Sequence, residues 1–260
     1  MSLKIAVLVK QVPDHEAIVQ LKSDRELDIE ERYVCSFFDE VAIEAALNIK
    51  KDNPETEIFA LSAGGRRAVD ALRRAVAMGI DNVEHIGDET LETVDNYYTA
   101  RVLAARLKTQ QPGLIICGKQ AGDDDAAAVG PMVAALLNIP HASAVVSLEM
   151  AAGTGRIKIG REAEGEVQYF ESGFPLLVTA EKGLAEPHVP VVMRVMKAMK
   201  TQAAHIPIEE LGLADIEPGG RVRRLRYAAP PERPPVTMIE QPFPENVVEL
   251  INHLRQGGVV

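Results

Sequence analysis

The run Gly118 to Val129, GKQAGDDDAAAV, sets a glycine, a lysine and three consecutive aspartates directly behind the apolar stretch Leu114 to Cys117. The stretch reads as a buried strand, so the run lies between a strand end and the next helix start. Backbone N–H groups there lack intrahelical partners, and the helix dipole adds partial positive charge, which together favour an anion. Two other loops, Leu8 to Asp14 and Ser62 to Arg66, also follow apolar strands, and in a parallel sheet all three open on one edge. The chemistry expected is the holding of a phosphate-bearing ligand. Asp123, Asp124 and Asp125 would repel a phosphate if all three faced it, so some are expected to face the helix start or solvent.

Other chemistries have little support. Nothing matches a GxGxxG fingerprint, a Walker loop, a GxSxG elbow or a metal-spaced His/Cys set, and the six histidines are scattered. The loop Ser62-Ala63-Gly64-Gly65-Arg66 is a faint version of the SGGxDS pyrophosphate loop of ATP-cleaving synthetases. Ala63 breaks its first glycine and Arg66 stands where the motif needs Asp, so no adenylating activity is expected; a tight turn or a nucleotide-backing turn fits equally. Cys35 and Cys117 lack CxxC spacing and read as reduced and buried.

Between Lys4 and Pro140, short apolar runs alternate with amphipathic ones, the pattern of strand–helix units feeding a parallel sheet. Strands are expected at Ile5 to Val9, Glu57 to Leu61, Asn82 to Ile86 and Leu114 to Cys117. Helices are expected after Phe38 with Asp39 as a cap, from Arg66 to Met78 with Gly79 ending it, from Asp95 through Leu107, and near Pro131 to Asn138. The last carries no charge and is expected to be covered on more than one side. Beyond Pro140 come strands at Ala142 to Leu148, Arg156 to Arg161, Glu166 to Glu171 and Leu176 to Thr179, with hairpin turns at Gly153-Thr154-Gly155 and Gly165. These should extend the sheet antiparallel at one edge. The fold expected is α/β, a doubly wound, mostly parallel, Rossmann-like sheet over residues 1–202. A proline-broken arm over 203–260 ends in a helix from Asn246 to Gln256.

The chain has 260 residues, 47% of them hydrophobic, and a formal net charge of −10, which argues against nucleic acid as the main partner. Arg221, Arg223, Arg224 and Arg226 cluster but read as a solvated strand edge. No signal peptide or bilayer-length apolar run is visible, so no membrane insertion and a cytoplasmic location are expected. From Arg156 to Lys200 the chain displays Val, Met and Lys in a loop that a solitary soluble protein has little reason to expose, which suggests docking.

These segments resemble the beta subunits of electron-transferring flavoproteins. The matching residues are Arg161-Glu162, the strand Phe174-Pro175-Leu176-Leu177-Val178-Thr179, Ala185-Glu186-Pro187 and the closing Val195-Met196-Lys197-Ala198-Met199-Lys200. The family's loop GKQAIDDDCNQTGQM is matched by Gly118, Lys119, Gln120, Ala121, Asp123, Asp124, Asp125, Gly130 and Met132. The family's polar NQT is Ala127-Ala128-Val129 here, so backbone N–H groups remain for a phosphate and side-chain donors do not. The resemblance implies AMP held by Leu8, Ser36, Phe37, Phe38, Asp39, Ala63 and the run Gly118 to Val129, Ala126 included. It implies a redox FAD shared with an alpha subunit and approached by His15 and Phe38. It implies further that Val191, Val192, Met193, Val195, Met196 and Lys197 dock a dehydrogenase, with Val192 as the anchor, and that Arg161 and Glu162 gate a mobile flavin domain. The chain would then be a carrier, with no bond chemistry of its own, between acyl-CoA dehydrogenases and a flavoprotein-quinone oxidoreductase. Ala127 and Val129-Gly130-Pro131 lean toward electron-bifurcating relatives that hold a second FAD and use NADH, whereas Asp124 leans toward AMP. A stand-alone nucleotide-binding regulator on a similar sheet is the other alternative.

Overall fold

The computed structural model describes residues 3–151, 155–213, 221–222 and 224–260. The main parallel layer is built from β1 (Lys4–Leu8), which leads through two small two-stranded ribbons, β2 (Gln11–Pro13) with β5 (Tyr33–Cys35) and β3 (Val19–Ser23) with β4 (Glu26–Ile29), into α1 (Phe37–Asp52). Then follow β6 (Glu57–Gly64), α2 (Ala68–Met78), β7 (Asn82–Gly87), α3 (Asn96–Gln110), β8 (Leu114–Gly118) and α4 (Val129–Leu137). The second half supplies β9 (His141–Ala151), β10 (Arg156–Ala163), β11 (Glu166–Gly173), β12 (Leu176–Ala180), α5 (Val192–Lys200), β13 (Ala204–Ile206) and α6 (Glu245–Gln256).

One nine-stranded sheet results, in the order β11-β10-β9-β12-β8-β1-β6-β7-β13. Its central strands are apolar on both faces because helices cover both. Ile5 and Val7 of β1, Ile58 and Ala60 of β6, and Leu114 and Ile116 of β8 join one core with α1 and α2. Ala6, Leu8, Phe59, Leu61, Ile115 and Cys117 alternate into the other core, against α3 and α4. Each Ile or Leu so buried contributes roughly 1.5–3 kcal/mol of transfer free energy. This is a doubly wound sheet, as the alternating pattern predicts.

Four details depart from expectation. Leu176 to Thr179 does not pair antiparallel: β12 lies parallel between β8 and β9, and the antiparallel pairs of this sheet are β10 with β9 and β10 with β11. All five β12 residues are buried, as a central strand demands, and periodicity alone carries no pairing direction. Helix α4 is not covered all round, since Ala135 and Leu136 are exposed. The arginine-rich segment is no strand edge: Arg221 lies over the Tyr97 ring and Arg224 bonds the Tyr227 hydroxyl, while Arg223 falls outside the described residues. Finally, β13 pairs parallel with β7, His205 opposite His85, so the chain leaves the sheet only after Ile206.

Turn chemistry follows the glycines where it matters. Glu164 and Gly165 both have positive φ (48° and 88°), which gives the two-residue turn whose twist suits a hairpin between β10 and β11. Gly153 and Thr154, expected in the preceding turn, lie outside the described residues. Asp95 caps α3, its Oδ1 accepting the Tyr98 N–H at 2.8 Å.

Candidate functional site

Parallel pairing puts Leu61, Leu8 and Cys117 side by side, so the loops after β6, β1 and β8 open together at one sheet edge. The start of α1 closes the gap between the loops after β1 and β8, the first and third of the set. Ser36-Phe37-Phe38-Asp39 has the spacing of a capping box, with a hydroxyl at the N-cap and an acid three residues on. Neither side chain caps. Ser36 makes no side-chain cap bond and its Oγ is buried without a partner among the described residues. The Asp39 carboxylate accepts the Lys10 N–H at 2.8 Å through Oδ2 and the Gly118 N–H at 2.8 Å through Oδ1. The expectation that Asp39 caps α1 is therefore corrected, because two loop amides outcompete the helix end. Burial pushes the Asp39 carboxyl up to about 7, opposed by those two N–H donors and by the charge of Lys10. A side chain on Gly118 would put its Cβ 2.6 Å from Asp39 Oδ1 and 2.7 Å from the Phe38 Cβ.

The aspartates of the third loop are all engaged. Lys10 Nζ reaches Asp123 at 2.8 Å and Asp124 at 3.6 Å, Asp124 Oδ1 accepts the Ala126 N–H at 3.2 Å, and Asp125 accepts from Gln120 Nε2 at 2.8 Å. Asp125 and Ala127 hold φ of 49°, a conformation costly for residues with a Cβ and concentrated at functional loops. Helix α4 starts at Val129 with no side-chain cap, so its first N–H groups face the loop without a protein side chain to accept them. Gly130 permits this start to press on the sheet: a Cβ there would lie 2.8 Å from Cys117 Sγ.

The second loop is different. The Gly65 N–H donates to Glu92 Oε1 at 2.8 Å and the Arg66 N–H to Glu89 Oε1 at 3.0 Å, both carboxylates belonging to the 3₁₀ turn Glu89–Glu92. Ser62 Oγ donates to the Val9 carbonyl at 2.7 Å. Of the three loops grouped as an anion-binding set, this one has given two amides to the chain's own carboxylates, and Ala63 only backs it.

The uncapped α4 start, the unpartnered Ser36 hydroxyl and the close backbone at Gly118 suit a phosphate-bearing ligand, while Ala127, Ala128 and Val129 offer it backbone only. Leu8 is buried beneath the mouth. Phe37 is half-exposed and edge-on to Phe38, and Lys119 Nζ sits 5.2 Å from the Phe38 ring while pairing with Glu181 at 2.5 Å. His15 lies apart from this group, its exposed ring 3.3 Å from Asp14. The residues fit an adenine nucleotide.

Two other groups stand apart from this mouth. The segment read as a docking loop forms α5, which packs on α2 through buried Ala198. Val189, Val191, Val192, Met193 and Met196 remain exposed, Met193 at 82%. Val195 is 41% exposed, and Lys197 is not free, being bonded with Arg194 to Asp81, whose carboxyl they hold below its usual range. Arg161 sits on β10 at a register shift, its Nε buried without a partner among the described residues, and Glu162 beside it is exposed.

Lys10, Glu89, Glu92 and Glu181 were not singled out by sequence reasoning. For Glu89 and Glu92 no local signal exists, since they act across 23 to 27 residues of chain on loop amides. The ribbon β3–β4 was also missed, though Val19 and Leu21 alternating toward Leu27 and Ile29 around Asp24-Arg25 was a readable hairpin signal. Among the described residues, no helix is long and apolar enough to cross a membrane, and no cluster of three or more metal-ligating side chains occurs.

Comparison with known proteins places the chain. The electron transfer flavoprotein domain model matches residues 28–215. The electron transfer flavoprotein subunit beta of Bacillus subtilis (strain 168) is 30% identical over 259 aligned residues, covering 99% of this chain and all of that protein. Its namesake in Bradyrhizobium diazoefficiens is 32% identical, covering 99% of this chain and 100% of the relative, and that of Syntrophomonas wolfei is 31% identical over 90% and 88%. With the model spanning well over half of the sequence and relatives aligned nearly end to end, the chain belongs to the electron transfer flavoprotein beta-subunit family.

Proposed function

We propose that this chain is the nucleotide-holding half of a heterodimeric electron carrier. It takes electrons from dehydrogenases of the acyl-CoA type through an FAD shared with an alpha subunit, and passes them to a flavoprotein-quinone oxidoreductase. The observation that carries the reading is the mouth itself: an uncapped helix start, a glycine pressed against Asp39 and a loop held in left-handed geometry. The nucleotide is AMP. Its phosphate would lie on the backbone of Ala127, Ala128 and Val129 at the α4 start, with Leu8, Ser36, Asp39 and Ala63 backing the ligand. The FAD, when bound, supplies the electron acceptance; this chain's Phe38 and His15 offer it a ring and an imidazole. The exposed α5 residues Val191, Val192, Met193 and Met196 supply an apolar hook for the dehydrogenase. Arg161 and Glu162 gate a mobile flavin domain of the partner. The arm, with exposed Val236, Met238, Phe243, Val248 and Leu250, has too little cover of its own and suits an alpha subunit.

A second reading is favoured by Ala127 and Val129-Gly130-Pro131: FAD in place of AMP, and bifurcation from NADH. Flavin and adenylate counted per purified complex decide between them, one flavin and one AMP being expected. Two flavins and no AMP would establish the second reading. A solitary, colourless chain that still binds nucleotide would instead favour the regulator.

A further inference from the structure

Asp39 is an expensive residue to place where it is. Its carboxylate is buried, its hydrogen-bond partners among the described residues are two backbone N–H groups, and the capping box that Ser36 and Asp39 could form on α1 is left unmade. A helix gives up about 1 kcal/mol when its N-cap is lost, and a buried ionised carboxylate costs more unless hydrogen-bonded. Where a local preference is overridden in this way, the surrounding structure has another use for the group.

The use is visible in its two bonds. Oδ2 takes the Lys10 N–H and Oδ1 the Gly118 N–H, so one side chain spans the first and third loops of the nucleotide mouth. Lys10 then carries the restraint onward through Nζ to Asp123 and Asp124, inside the loop that leads to α4. Gly118 can lie this close to α1 only as a glycine, because Phe38 and Asp39 fill the space where a Cβ would stand. Both loops are thus referred to one anchor on α1.

We propose that the Asp39 carboxylate is a positioning clasp that sets the gap between the β1 and β8 loops, so that nucleotide binding depends on both of its oxygens being acceptors. This deepens the nucleotide reading above and rests on it. An un-ionised acid or an amide in the same place keeps one good acceptor and turns a donor toward the other N–H, which opens one side of the clasp. The clasp is accordingly proton-linked near neutrality, since burial holds the carboxyl at about 7. The groups that bear on it are Lys10 and Asp123 from the loops, Cys35 on β5 and Cys117 on β8, both thiols kept neutral by burial.

The test compares the full chain as purified with Asp39→Asn and Asp39→Glu, titrating AMP from pH 5.5 to 8.5 and following amide hydrogen exchange over residues 9–11 and 118–126. The native protein should bind AMP about tenfold more tightly at pH 8 than at pH 6. Asp39→Asn should bind about tenfold more weakly at pH 8 with that step abolished, Asp39→Glu should keep part of the step, and the two loops should exchange faster in Asp39→Asn. AMP binding that strengthens as pH falls, or an Asp39→Asn protein with native affinity and an unchanged pH step, overturns the clasp while leaving the site in place. Absence of AMP binding by the native protein sinks the nucleotide reading instead; unchanged loop exchange in Asp39→Asn then overturns the clasp independently.

Discussion

Lys119 Nζ and Glu181 Oε2 meet at 2.5 Å across the tips of β8 and β12. The Glu181 side chain is mostly buried, and the ammonium also lies over Phe38, so this contact links the nucleotide loop to the strand beside it. Glu181→Ala strands a half-buried ammonium and should lower stability by about 1–3 kcal/mol. Urea midpoints of Glu181→Ala, Lys119→Met and the double variant measure the coupling; additivity of the two single effects would show the pair to be energetically idle.

Glycine at 130 should be intolerant in a way that glycine at 173 is not. A Cβ at Gly130 meets Cys117 Sγ at 2.8 Å and Thr179 Cγ2 at 3.0 Å, whereas nothing lies within 4 Å of one at Gly173. Gly130→Ala is expected to cost about 1–3 kcal/mol by overpacking, and Gly173→Ala to stay within about 0.5 kcal/mol of the native protein. Thermal denaturation of the pair checks the contrast.

Asp39 should also write itself into the pH dependence of stability. Its folded value of about 7 lies above the ordinary 3.8, so the folded chain holds the proton more tightly than the unfolded one. The stabilisation is complete below about pH 4, declines as pH rises toward 7, and levels off beyond, an effect on the order of 4 kcal/mol. Stability and nucleotide grip therefore run in opposite directions with pH. Denaturant titrations between pH 5 and 8 should show the decline, and Asp39→Asn should remove it; a native protein that gains stability over that window contradicts the assignment.

Asp95 holds two things at once. Oδ1 caps α3 at the Tyr98 N–H, and Oδ2 accepts the Arg221 and Val222 N–H groups at 2.5 and 2.9 Å. Asp95→Ala should cost about 1–2 kcal/mol for the cap and raise the rate of proteolytic nicking near Arg221. Mass mapping of trypsin fragments gives the site; unchanged nicking would mean the arm is held elsewhere.

Met193 offers the cleanest test of the docking face. Being exposed and clear of the core, Met193→Glu should leave stability within about 0.5 kcal/mol while slowing electron transfer from an acyl-CoA dehydrogenase at least several-fold. An unchanged transfer rate would remove α5 from the docking surface.

Much of the fold was legible because burial on both faces leaves a mark. Ile5 to Val9 and Leu114 to Cys117 are near-continuous apolar runs, and such runs become central parallel strands. The three-loop mouth followed from strand ends alone, and the aspartate run was found where it stands. What stayed hidden was pairing and partnership. Leu176 to Thr179 carries no residue that distinguishes parallel from antiparallel neighbours. Asp39 misled because its local spacing with Ser36 is that of a cap, whereas its actual partners lie 29 and 79 residues away. Glu89 and Glu92 were unreadable for the same reason.

The tail's first stretch is stitched to the sheet, His205 alongside His85, and its backbone is caught again by Asp95 at Arg221 and Val222. A cord moored at two points cannot swing as a loose leash does. On the proposed reading, a subunit gripped farther along would inherit a fixed take-off point from the same scaffold that carries the candidate ligand mouth, so this chain's geometry would set the spacing between redox partner and ligand, with little left to the slack of a linker.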